Sequence, residues 1–536
     1  MPRSSLDRYV NGLGILAVIS YAAMSVLSFV QTPALWDPAY FPHAADFFNR
    51  LFGSETVMAI RSFFGGASAV LISHGVILFV ASAAAVALII LLSRDDAAPS
   101  EETAKLVFRW SMAFAGVSVF AYPVFTQDFW LSAIWGDMIA SGINPYYQTF
   151  TPRLLAGLPL DHFSMTMSYG PLWGLVSAAV MTITGGSVWA TAVLFKGLLL
   201  AAWCASLILV DRIMRQVAPG SRVLGVVVVG WVPLGVSQTV AEGHNDIVMV
   251  LPALLWLFLL LRKRFAAPLA LAASVLCKYT TAPLILVDAL HNLRGQRLSP
   301  ARYAAQLALP LLLSVAIMAI FYRSPGFFDG VYLISSWHFM QPIHALAAVS
   351  NVLGPWFKPV TKLALAIFPG IAAYEVWLYW KNPSKAQLPR VTLAVMCAVT
   401  FSAITHIWPW YLVWTLPLAA LVPGWWLSRF IIGLCLVIPF TYVVWWVPEA
   451  EDFKDVAALL MYLATILWTF ATARGGAPAE AETEVEAPAA IRHMEFALVR
   501  SEPTLAAGNA GPLRDSGYHR AERLLQAEAI PSETSA

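Results

Sequence analysis

Asp128 and Asp137 lie in the segment TQDFWLSAIWGDMIASGINPYY (126–147), among aromatic rings and between apolar runs. A carboxylate held at a membrane edge can take a proton from a hydroxyl, which makes Asp128 the first candidate for a general base. The competing reading is a helix N-cap, since Asp is favoured just before an apolar helical run. Asp137 is two and a half turns further on if the segment is helical, on a similar face but far along it. A second constellation is Glu242-Gly243-His244-Asn245-Asp246, packed between two apolar runs. Polar side chains at such depth are costly and mark function, although a water-exposed polar connection is the plainer alternative. Neighbouring positions diverge on a helix, so His244, Asn245 and Asp246 suit a sugar- or phosphate-binding turn better than a metal.

Lys278 interrupts LAASVLCKYTTAPLILV. An ammonium there would meet a phosphate as a point charge, unless it snorkels to the nearest interface. His338 and His344, in the loop from Arg323 to His344, would contact substrate or else be ordinary loop residues. His406 precedes WPWY, an interfacial aromatic belt whose ring faces also suit stacking on sugars.

The elements that must position these groups are membrane helices. Of 536 residues, 59% are hydrophobic and 12% charged, against about 25% charged in a typical soluble domain. Apolar runs cover 10–31, 69–93, 107–125, 188–210, 223–241, 246–262, 301–322, 362–380, 391–406, 428–447 and 456–473. In hydrocarbon the backbone must satisfy itself, so these runs are helices. Residues 171–184 read as a short or re-entrant element, and 266–290 as a hairpin of two short helices around Lys278. The prediction is an all-α polytopic bundle of about 11–14 transmembrane helices. Gly142, Asn144 and Pro145 end a short helix in a defined turn, so the first large loop is a built object.

The basic segments DRIMRQVAPGSR, RKRF, RGQR and KNPSKAQLPR, with Arg3 and Arg8, place the N-terminus and these loops in the cytoplasm. The segments carrying Asp128, GHND, SSWHFMQPIH and HIWPWY then share the outer face. The expected divisions are N-terminal helices at 1–106, a catalytic core at 107–473, and a cytoplasmic, disordered tail at 474–536. Within the tail, AAIRHMEFALVR has the pattern of a short amphipathic helix. A net charge of +2 favours no nucleic acid, and Cys204, Cys277, Cys397 and Cys435 read as small buried hydrophobes. The first apolar run lacks a convincing cleavage site and reads as an anchor rather than a signal peptide.

Taken in order, DFWLSAIWGDMIASGINPYY, SYGPLWGL, GHND and HIWPWYLVWTLPL resemble the GT-C superfamily of membrane glycosyltransferases. The match is closest to bacterial α-mannosyltransferases that use polyprenyl-phosphate mannose, and covers roughly residues 110–420. Asp128, Trp135 and Gly142–Tyr146 match the family's first outer loop, whereas Trp135-Gly136-Asp137 stands where relatives often carry Trp-Asp-Gly. The resemblance implies a GT-C-like bundle in a bacterial inner membrane, with its active site extracytoplasmic. It implies transfer of a hexose, mannose by analogy, from a polyprenyl-phosphate sugar to a glycolipid or glycan. Asp128 would be the base of an inverting displacement. Asp137, Asn144, Tyr146, His244, Asn245, Asp246, Lys278, His338, His344 and His406 would bind substrate, with Lys278 at the donor phosphate. No metal or other cofactor is implied. The rival class is a transporter or flippase of lipid-linked sugars, which favours internal repeats and midplane sites. No repeat is evident, and the polar motifs gather on one face.

Overall fold

The computed structural model describes residues 3–35, 42–64, 67–94, 99–149, 165–354, 358–442, 444 and 453–473. The tail with AAIRHMEFALVR lies outside them. Met1–Ala479 cluster as one compact unit.

The described residues are helical, without a named strand. The N-terminal helices are α1 (Arg3–Leu35), α2 (Pro42–Phe52), α3 (Ser54–Phe64), α4 (Ala67–Arg94) and α5 (Glu101–Ser118). Then come α6 (Asp128–Ala140), α7 (Pro171–Thr184), α8 (Val188–Val217), α9 (Arg222–Trp231) and α10 (Pro233–Val236). They are succeeded by α11 (Asp246–Leu261), α12 (Ala267–Cys277), α13 (Leu284–Leu290), α14 (Pro300–Phe321), α15 (Asp329–Ser335) and α16 (Pro342–Leu353). The last are α17 (Lys358–Lys381), α18 (Gln387–Ala398), α19 (Leu416–Ala420), α20 (Trp426–Val437) and α21 (Lys454–Ala473).

Among the described residues six helices are long and apolar enough to cross a membrane, and Pro219–Trp231 with Pro233–Ala241 forms a pair bent by 51°, a broken span or a re-entrant element. Five more apolar helices are shorter. The chain is thus an all-α polytopic membrane protein, but several of the expected spans are interrupted. The cause is local chemistry. Pro233 breaks the helix after α9, and Ser237–Ala241 closes with a π-helical turn. The 266–290 stretch is two short helices around Lys278, as its sequence implies. The 107–125 run starts earlier and ends at Ser118, because Ser100 caps α5 ahead of Glu101 and Glu102.

Two helix pairs frame the cluster around Asp128, α6 with α7 parallel and α11 with α12 antiparallel. α6 lies on α7, where Gly136 lets the backbone of Ser177 come close and Trp173 Nε1 donates to Ser132 Oγ at 3.2 Å. α11 lies on α12, joined by Ser274 Oγ donating to the Met249 carbonyl at 2.8 Å. Because α11 begins at Asp246 and α12 ends at Cys277, the pair brings Asp246 and Lys278 to one end.

Candidate active site

Asp128 is the first residue of α6, yet its carboxylate does not cap that helix. Gln127 is the N-cap residue and makes no side-chain cap bond, while the Asp128 amide donates to Thr126 Oγ1 at 3.0 Å. The Asp128 carboxylate is instead partly open, its side chain 29% exposed. Tyr169 donates its hydroxyl to Asp128 Oδ2 at 3.2 Å, and His244 Nδ1 stands 3.6 Å from the same oxygen.

Tyr169 is delivered by the short segment before α7. The Gly170 amide donates to the Cys277 carbonyl at 2.9 Å, docking this segment on the end of α12. A Cβ at Gly170 would run into the Leu276 carbonyl, so only glycine allows the approach. Asn144 and Tyr146 brace the same segment. Asn144 Nδ2 donates to the Phe321 carbonyl at 2.8 Å, and its Oδ1 accepts from the Tyr146 amide at 3.2 Å. Tyr146 in turn donates its hydroxyl to the Tyr169 carbonyl at 2.8 Å. Gly142, at φ 76°, ends α6 and lets Ile143 donate to the Met138 carbonyl, so the turn that the sequence announces is built as expected.

Lys278 Nζ donates to Asp246 Oδ1 at 2.5 Å, and Trp414 Nε1 donates to the same oxygen. The ammonium also faces the rings of Tyr169, Tyr411 and Trp414 at 5.0–5.2 Å. It therefore does not snorkel: a buried carboxylate and three π faces hold it. His244 is stacked on Trp410 with ring centroids 3.9 Å apart, and Trp410 is stacked on Trp408 at 4.9 Å. Both His244 ring nitrogens, Asn245 Oδ1 and Asp246 Oδ2 are buried and make no hydrogen bond among the described residues. Buried polar atoms in native proteins normally find partners, so such a group beside a partly open carboxylate makes this the candidate site.

The remaining candidates sit elsewhere. Asp137 is half-buried and about 13 Å along α6 from Asp128. His338 is exposed and bonds the Ser336 carbonyl at 2.6 Å. His344 accepts from the Gln341 amide at 3.1 Å as part of the cap of α16, and burial lowers its pKa. His406 is buried, with Nε2 2.9 Å from the Tyr411 hydroxyl, so it reaches the cluster through Tyr411. Burial lowers the His406 pKa to about 4 and keeps the ring neutral.

Tyr169 and Trp414 join the site without having stood out in the sequence, although both lie in motifs that carry the resemblance. Lys196 did not stand out either, yet it is an isolated lysine in an apolar run, the signal that singled out Lys278.

An all-α fold, a carboxylate at a helix end and unpartnered polar groups around it define a polytopic membrane protein with a candidate polar site. Residues 40–292 match the family described as Alpha-(1->6)-mannopyranosyltransferase, N-terminal domain. The chain is also 24% identical over 416 residues to the Alpha-(1->6)-mannopyranosyltransferase A of Corynebacterium glutamicum, covering 70% of this chain and 83% of that one. In both comparisons the chain is similar to α-(1->6)-mannopyranosyltransferases. No solved structure matches.

Proposed function

We propose that the protein transfers mannose from a polyprenyl-phosphate sugar to a hydroxyl of a glycolipid or glycan on the outer face of the membrane, with Asp128 as general base. The single observation that carries this reading is the Asp128 carboxylate: free of capping duty, partly open, and bordered by Tyr169 and His244. The acceptor oxygen bonds to the anomeric carbon as the bond from that carbon to the phosphate oxygen breaks. The hydroxyl proton passes to Asp128, and polyprenyl phosphate leaves with the bonding pair. Displacement inverts the carbon, so an α-mannoside, the linkage named for the relatives, requires a β-linked donor.

Lys278 is the group for the donor phosphate. It is a cation at the edge of the cluster, and the phosphate competes with Asp246 for it. The Trp408–Trp410–His244 stack supports a platform for sugar rings. The lipid phosphate is already a good leaving group, and these residues need no metal for this chemistry.

The test is transfer from radiolabelled polyprenyl-phosphate mannose by purified protein in lipid, against a panel of glycolipid acceptors. Asp128→Asn is expected to lower kcat by about 10²–10⁴-fold, the usual worth of a general base, while donor binding persists. Normal turnover by a folded variant overturns the base assignment. Movement of lipid-linked sugar between leaflets without transfer overturns the reaction itself and favours transport.

A further inference from the structure

A second buried lysine deepens the transferase reading and rests on it. Lys196, in the first third of α8, is 6% exposed. Its ammonium does not reach solvent; it donates to the Val240 carbonyl at 2.8 Å and to the Ala241 carbonyl. These carbonyls close the π-helical turn Ser237–Ala241, at the negative end of a helix, where a cation is favoured. The next residue, Glu242, is also buried, and its Oε2 accepts from the Phe125 amide at 2.9 Å. Phe125 lies three residues before Asp128. At φ 81°, Gly243 packs so tightly on Phe129 that a Cβ there would overlap the ring, and Lys196 also faces that ring at 5.7 Å.

Segments 240–243 and 125–129 are thereby joined at three points: Glu242 on the Phe125 amide, Gly243 on Phe129, and Lys196 bridging the turn and the same ring. One of these segments leads into His244 and the other carries Asp128. We infer that Lys196, with Glu242, is a positioning residue that holds the catalytic carboxylate and the His244 turn at their separation. A shift of about 1 Å in such a constellation costs on the order of 100-fold in rate. Among the described residues, no hydrogen bond or ring contact of Lys196 or Glu242 reaches Lys278, so the loss falls on kcat before donor KM.

The experiment compares steady-state transfer by full-length protein in lipid nanodiscs. Lys196→Met alone would strand the buried Glu242 charge, so the informative variant is Lys196→Met with Glu242→Gln, which retains an acceptor for the Phe125 amide. Expected are a kcat at least tenfold lower, a donor KM within about twofold of the native value, and substantial recovery in Glu242→Gln alone. Leu207→Ala, on the same helix, is the stability comparison, chosen because Leu207 is fully buried and lies about 16 Å along α8 from Lys196. If Leu207→Ala, at an equal loss of Tm, lowers kcat as much as the double variant does, Lys196 is merely structural and the inference is overturned. An unchanged kcat in the double variant overturns it too. If the double variant does not fold, Gly243→Ala decides: lower kcat at constant donor KM supports the inference, and native kcat removes it. Absence of transfer by the native protein would instead count against the transferase reading.

Discussion

Lys278 and Asp246 meet at 2.5 Å across the ends of α12 and α11, with the Asp246 side chain 1% and the Lys278 side chain 12% exposed. A buried pair of this kind is weak evidence for stability but strong evidence that neither partner can be removed alone. In the proposed reaction Asp246 keeps the ammonium oriented until a phosphate arrives.

Lys278→Met, combined with Asp246→Asn so that no buried charge is stranded, therefore affects the donor first. Loss of a charge-assisted hydrogen bond, about 1.5–3 kcal/mol, raises the donor KM on the order of 10- to 100-fold. Acceptor KM stays near its native value. Donor titrations at saturating acceptor check this, and an unchanged donor KM would detach Lys278 from the phosphate.

Tyr169→Phe removes the hydroxyl that donates to Asp128 and keeps the ring against Lys278 and Trp135. Expected is a fall in kcat of about 3- to 10-fold, the worth of one modest hydrogen bond. The folded fraction is unchanged. A variant as fast as the native protein would mean that Asp128 needs no orientation from Tyr169.

Gly170→Ala presses a methyl group onto the Leu276 carbonyl. The Tyr169 segment must lift from α12, and both Tm and kcat fall together. Native Tm with native kcat would show that this docking does not position Tyr169.

The stability of the fold has a pH dependence traceable to His406. Its folded pKa, about 4, lies below the unfolded value of about 6.5. Between these values the unfolded chain binds more protons, so stability rises with pH through that window. The contribution is fully present above about pH 6.5 and is lost as the pH falls toward 4. Acidification from about pH 7 to about pH 5 should lower Tm, and His406→Gln should reduce that slope. An identical slope in the variant would assign the acid sensitivity to other groups.

Trp410→Ala leaves His244 without the ring on which it stacks. Acceptor KM is expected to rise on the order of tenfold, the scale of about 1.4 kcal/mol, as the proposed platform loses a face. An unaltered acceptor KM would place the sugar elsewhere.

The sequence by itself determined the class of fold. Long apolar runs allow no other backbone in lipid, and the interruptions at Lys278 and at Gly142–Pro145 were readable because Pro, Gly and charge act locally. It also marked Asp128 and the His244–Asp246 turn, since charged groups between apolar runs are too costly to be incidental. Only the tertiary structure decided which of these groups meet. Asp246 finds Lys278 because α11 and α12 run antiparallel, and Tyr169 finds Asp128 because Gly170 docks on Cys277. Asp137, on the same helix as Asp128, shares a motif with it but not the cluster. His338 and His344 turn to backbone groups of their own loop. Spacing along a chain specifies a helix face; which neighbour that face meets depends on contacts between residues tens to hundreds of positions apart, and no local pattern encodes them.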